Sequence, residues 1–146
     1  MQNKVTIYTD GGSRGNPGPA AIGVVIKDSR GKIFKEYSEY IDEATNNEAE
    51  YQAVVFALKK AKLLFGKKNT KEMEIEIKSD SELLVKQLNG EYKIKEENLI
   101  PLFIKIWNLK QDFGKMLFTL ISREKNKEAD KLVNKELNQK NSVLPL

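Results

Sequence analysis

Apolar and polar residues alternate along "KVTIYTD" (4–10), the period of a strand with one buried face. "AAIGVVIKD" (20–28) and "KIFKEYSEYI" (32–41) follow as two more strands, and the intervening "SRG" reads as a hairpin turn. The period then changes. Residues 46–65 carry a helical pattern, "EMEIEIKS" (72–79) returns to alternation, and 81–89 forms a short helix stopped by Asn89-Gly90. Pro101 suits the first turn of a further helix, along which Leu102, Ile106, Leu109 and Phe113 recur on one face. "KMLFTLIS" (115–122) is a fifth strand and 127–138 a final helix. Three consecutive strands followed by alternating helices and strands predict an α/β fold, a mixed sheet covered by helices. Trp107, set among the apolar residues of its helix, is expected in the core.

The pattern shows no repeat, linker or low-complexity tract, and 146 residues suffice for one domain that buries most of its apolar surface. That domain is expected over 1–140, with the apolar tail "NSVLPL" (141–146) packing on the body or on a partner. Between the first two strands, residues 11–19 hold four of the nine glycines and two of the four prolines. The first strand is therefore expected to stop at Asp10 and to give way to a locally shaped loop.

Composition narrows the chemistry. There is no cysteine, so no disulfide framework exists, and with neither a membrane-spanning apolar run nor a signal-peptide pattern the reading is a cytoplasmic location. There is no histidine either, which removes every imidazole acid–base scheme, His-metal site and His-containing triad. Catalysis, if any, must run on carboxylates, lysine, hydroxyls or bound metal. The net charge of +4 favours polyanionic partners, although a lysine-rich composition gives the same number without one.

Asp10 ends a strand and is either a turn-initiating residue or a metal ligand beside glycines that keep side chains away. In "TNNEAEYQAVVFAL", counting from Glu50 gives Ala53, Val54, Ala57 and Ala61, the stripe that should face the sheet. Glu48 lies nearly opposite and is expected to point to water. A carboxylate at the head of a core-facing stripe is costly unless something neutralises it, so Glu50 needs an explanation beyond helix-dipole or capping duty. Asp80 stands at a strand–helix junction, as an N-cap or as an inward-facing acid above Leu84 and Leu88. In "REKNKEADKLVNKEL", Glu128 and Asp130 flank the core stripe on opposite sides, and spacing does not choose between them. Inward-facing acids at element ends suit a hard cation such as Mg²⁺ or Mn²⁺, and a pair of such ions suits in-line attack on a phosphodiester.

"YTDGGSRGNPGPA", "TNNEAEYQAVVFAL", "SDSELLVKQLNG" and "REKNKEADKLVNKEL" occur in that order. Together they resemble the ribonuclease H type 1 family over about residues 4–138. The resemblance implies a five-stranded mixed sheet of order 3-2-1-4-5 with helices on both faces. It also implies an endoribonuclease that cleaves the RNA strand of RNA–DNA hybrids with two Mg²⁺ ions (Mn²⁺ as substitute), leaving 3′-hydroxyl and 5′-phosphate ends. The sequence itself gives no sign of an obligate protein partner, and a monomer is expected. Carried over, the catalytic and metal-binding acids fall on Asp10, Glu50, Asp80 and Asp130, the last through an Asn-x-x-Ala-Asp match at 126–130. Gly11, Gly12, Asn16, Thr45, Asn46, Asn47, Ser81, Arg123 and Asn126 fall on substrate-binding positions, where neutral amides can meet a 2′-hydroxyl.

Two departures stand out. Many family members carry a histidine before the last acid; here Arg123 occupies that stretch, as in a subgroup with Arg-x-x-Asn, and its role is read as electrostatic. The basic protrusion of other members is replaced by the short, nearly charge-balanced "GEYKIKEENLIP" (90–101), so binding must lean on other lysines, and affinity should fall with salt. Rival readings are a nuclease of the same fold that also cuts double-stranded RNA, and a non-catalytic hybrid-binding module.

Overall fold

Ten regular elements follow one another along the chain of the computed structural model, which describes residues 4–142, with side chains as far as 139. They are β1 (Lys4–Ser13), β2 (Gly18–Lys27), β3 (Ile33–Ala44), α1 (Asn46–Phe65), α2 (Lys67–Thr70), β4 (Glu74–Ser79), α3 (Glu82–Leu88), α4 (Ile100–Lys110), β5 (Lys115–Leu120) and α5 (Lys127–Ser142). Short 3₁₀ turns occupy Glu97–Leu99 and Arg123–Asn126. The tail expected over 141–146 lies outside the described side chains.

The strands form one sheet of order β3-β2-β1-β4-β5, antiparallel on the β1–β2 and β2–β3 side and parallel across β1–β4 and β4–β5. Alternation works as the sequence pattern implies. Ile7 of β1, Val24 and Ile26 of β2, and Ile75 and Ile77 of β4 join Val54, Ala57, Leu58 and Ala61 of α1 in the main core. On the opposite face Ala21 of β2 meets Val133 and Leu137 of α5. Layers on both faces explain why β2 reads as an almost unbroken apolar run.

The first strand is longer than its sequence suggests. It runs through Gly11 and Gly12 to Ser13, because β2 supplies a partner at each step: Asp10 pairs with Gly23, Gly11 with Ile22 and Gly12 with Ala21. Only residues 14–17 remain as the connecting turn, with a cis bond between Asn16 and Pro17. On its other side β1 loses its partner early. Pairing with β4 ends at Tyr8–Lys78, while β1 carries on through five further residues, Thr9 to Ser13. That open edge is where the site forms.

Two glycines let helices close on this region. A Cβ on Gly11 would lie 2.3 Å from the carbonyl carbon and oxygen of Ala49 and 2.6 Å from the nitrogen of Glu50, so the first turn of α1 rests directly on β1. A Cβ on Gly23 would lie 2.3 Å from the carbonyl oxygen of Ala129, and α5 approaches there in the same way. At its start α1 is fixed by a capping box: Thr45 Oγ1 accepts from the Glu48 N–H and Glu48 Oε1 accepts from the Thr45 N–H. Glu48 is therefore half-buried in capping duty, not turned to water as expected.

Trp107 is not in the core. It is 52% exposed, with Lys110 Nζ 5.3 Å from its ring, and it continues an outward stripe begun by Ile100 and Ile104. The reason is that α4 is apolar on two faces and only one is covered. Ile106 is buried against the main core and Leu102, Phe103 and Leu109 pack partly on it. Residues 89–96 form no regular element, so no helical protrusion stands between α3 and α4.

Candidate active site

The backbone groups on the open edge of β1 are taken up by side chains. Glu50 reaches from α1 and its Oε1 accepts from the Gly11 N–H at 2.7 Å. Asn126, at the end of the 3₁₀ turn before α5, donates its amide to the Thr9 carbonyl at 2.9 Å. The same amide nitrogen lies 3.0 Å from Asp80 Oδ2, so one buried side chain ties the β1 edge to the acid that follows β4. Asp10 points from the α5 face of β1. Carboxylate oxygens of Asp10, Glu50 and Asp80 all lie within 4.8 Å of one another.

The fourth expected acid stands at the rim. Asp130 is exposed in the first turn of α5 and acts on Asp10 both by charge and as a hydrogen-bond partner. Its rival Glu128 is turned away, paired with Lys27 at 2.8 Å. The structure thus separates two residues that helical spacing left equivalent. Asp80 is likewise freed of the ordinary alternative, because the N-cap of α3 is Ser81, whose Oγ accepts from the Leu84 N–H.

Gathering acids has an electrostatic cost that shows in their protonation. Burial, then the charges of Asp80 and Asp130, push the Asp10 carboxyl from 3.8 up to about 8, against the opposing hydrogen bond from the Gly11 N–H. Burial raises Glu50 well above the ordinary glutamate range, with Asp10 and Asp80 adding to it; the Gly11 N–H and the charge of Arg123 act the other way. Such a cluster is stable with protons on it or with cations in it. Its donors are all carboxylate oxygens, and the chain has no cysteine thiolate or histidine imidazole to offer. That donor set suits a hard divalent cation.

The cluster opens into a cleft of about 710 Å³. Of the residues singled out in the sequence, Asp10, Gly11, Gly12, Asn46, Asn47, Glu50, Asp80, Ser81, Arg123 and Asp130 line it. Asn16, Thr45 and Asn126 do not. Asn16 Oδ1 accepts from the Asn46 N–H at 3.0 Å and Asn46 Oδ1 accepts from the Ser13 N–H at 2.9 Å, which clamps the 14–17 turn to the start of α1. Thr45 is spent as a helix cap. Asn126 is 1% exposed, so its expected place among substrate contacts is corrected: it positions Asp80 and the β1 edge. The Gly11 N–H is also already committed, to Glu50.

Residues that sequence reasoning missed complete the wall: Ser13, Arg14, Glu82, Val133, Asn134 and Leu137. Asn134 and Leu137 could have been found, since they follow Asp130 at i+4 and i+7 on one helix face. Gly23 could have been flagged as a glycine inside a strand, which often marks close backbone approach. Arg14 carried no such signal.

A sheet of this order with carboxylates where β1 and β4 part defines a nuclease-like class of α/β domain, and comparison with known proteins narrows it. A family profile described as reverse transcriptase-like matches residues 8–136. The crystal structure of LC11-RNase H1 in complex with an RNA/DNA hybrid is 48% identical, with a TM-score of 0.88 over 92% of this chain and 97% of that one. Ribonuclease HI of Halobacterium salinarum is 39% identical over 134 residues, 92% of this chain and 64% of that protein. A bifunctional protein of Mycobacterium tuberculosis is 36% identical over 132 residues, but the chain spans only 35% of its length. The chain belongs to the ribonuclease H type 1 family.

Proposed function

We propose that the protein is an endonuclease that hydrolyses the RNA strand of RNA–DNA hybrids, with two divalent cations, Mg²⁺ by preference, held by Asp10, Glu50, Asp80 and Asp130. The observation that carries this reading is the convergence of three carboxylates within 4.8 Å at the floor of an open cleft, with a fourth acid at its rim. Bound there, such ions supply a Lewis acid for the scissile phosphate and lower the pKa of the attacking water.

The chain's own residues do the rest. The Gly11 N–H fixes the orientation of Glu50, and the Asn126 amide fixes Asp80, so the acids need little rearrangement to receive cations. Asn46 spends its carbonyl oxygen on Ser13 and keeps its NH₂ as a donor, while Asn47 donates to Glu96 Oε1 at 2.7 Å and keeps its carbonyl oxygen as an acceptor. The two neighbouring amides thus offer opposite polarity, which suits a ribose 2′-hydroxyl that both donates and accepts. Arg123, which cannot shuttle a proton near neutral pH, offsets negative charge beside Glu50. The expected products are 3′-hydroxyl and 5′-phosphate ends.

The test is cleavage of labelled hybrid, duplex RNA and duplex DNA with and without Mg²⁺, alongside Asp80→Asn. Hybrid cutting that needs Mg²⁺ and vanishes in the variant, with hybrid binding nearly intact, is the expected result. Retained cleavage by Asp80→Asn would falsify the site.

A further inference from the structure

Five acids line the cleft, Asp10, Glu50, Asp80, Glu82 and Asp130, against two cations, Arg14 and Arg123. A nucleic acid entering such a cleft is repelled unless fixed positive groups meet its phosphates. Arg123 faces the acids themselves, through Glu50. Arg14 does not. It sits on the turn between β1 and β2, where its N–H donates to the Pro19 carbonyl at 2.8 Å, and its guanidinium donates to Asn138 Oδ1 of α5 at 2.6 Å.

That partner is neutral. Lys27 and Lys62 are paired with Glu128 and Asp112, whereas among the described residues no carboxylate pairs with Arg14. An amide clamp fixes the guanidinium without cancelling its charge, and one hydrogen bond leaves most of its N–H donors unspent. Asp130, Asn134 and Asn138 recur at four-residue intervals along α5, so a polar track leads from the acids to Arg14. At about 1.5 Å per residue Asn138 lies about 12 Å along the helix from Asp130, which places Arg14 at a different phosphate from the one at the acids.

Resting on the nuclease reading above, we propose that Arg14 binds a backbone phosphodiester of the strand that crosses the acid cluster, with Asn138 holding its guanidinium in place. A planar fork of donors matches a phosphate's oxygens two at a time. This contact supplies anchoring that the charge-balanced segment after α3 does not.

The test uses the full chain carrying Asp80→Asn as the parent, titrated with fluorescently labelled RNA–DNA hybrid in Mg²⁺ over a range of KCl concentrations. Arg14→Ala is expected to weaken binding about tenfold at low salt and to flatten the slope of log affinity against log salt by about one. Arg14→Lys keeps the slope and recovers part of the affinity. Asn138→Ala loses affinity about threefold with the slope unchanged, and no loss there overturns the positioning role. Lys68→Ala, exposed on α2 beyond the far end of α1, serves as the control for bulk charge and leaves the slope as it was. All variants should melt with the parent, which separates a contact from a folding defect. A parent that binds while Arg14→Ala matches it in affinity and slope overturns the assignment. A parent that binds no hybrid overturns the nuclease reading and this inference with it.

Discussion

Gly11 shows how one missing side chain builds a site. Its absent Cβ lets the backbone of Ala49 and Glu50 sit against β1, and its N–H holds the Glu50 carboxylate. The atoms a methyl group would strike are backbone and cannot swing aside. Gly11→Ala is expected to cost about 1–3 kcal/mol in stability, as overpacking does. It should also cut cleavage more than the stability loss explains, because the start of α1 moves and Glu50 moves with it. Urea unfolding and turnover below the melting range check this; an Ala variant matching the wild type in both would remove the proposed role. Glu50 itself was legible, since helical geometry singles it out from Glu48. Asp130 was not legible from spacing, because what disqualifies Glu128 is Lys27, a partner about a hundred residues away in sequence.

Among the elements, α1 is tied to the segment after α3 by buried polar groups. Tyr51 OH donates to Gln87 Oε1 at 2.6 Å, and Gln87 Nε2 donates to the Lys93 carbonyl at 3.0 Å. Tyr51 and Gln87 are 0% and 4% exposed. Tyr51→Phe leaves a buried acceptor without its donor, an expected loss of about 1–3 kcal/mol in chemical denaturation. Hydrogen exchange across 89–96 should accelerate in the same variant, and an unchanged rate there would show that the clamp does not hold the segment. Apart from the four-residue α2, which no periodicity marks, element type and order were readable from the pattern, but the length of β1 and the exposure of Trp107 were not. The length of β1 was hidden because glycines look like strand breakers until β2 is in place to pair with them. Trp107 was misplaced because apolar density along α4 says nothing about which face a neighbour covers.

At the scale of the molecule, the acid cluster couples folding to pH. An Asp10 carboxyl at 3.8 when unfolded and about 8 when folded binds its proton more tightly in the native state. Without divalent cations, its contribution to stability is therefore full below about pH 4 and is lost as pH rises toward about 8, and Glu50 acts in the same direction. Cations replace those protons, so the rise in melting temperature on adding Mg²⁺ to chelator-treated protein should be larger near pH 9 than near pH 6. Equal rises at both would contradict the assignment of Asp10 as a ligand. The cluster has room to exist because the pairing of β1 with β4 ends at Tyr8 while β1 continues. The crevice is a seam in the sheet left unzipped for a few rungs. Extending β4 to finish the ladder would satisfy the backbone by ordinary pairing, evict Glu50 and Asn126, and yield a more complete scaffold with nothing left in it to cut a strand.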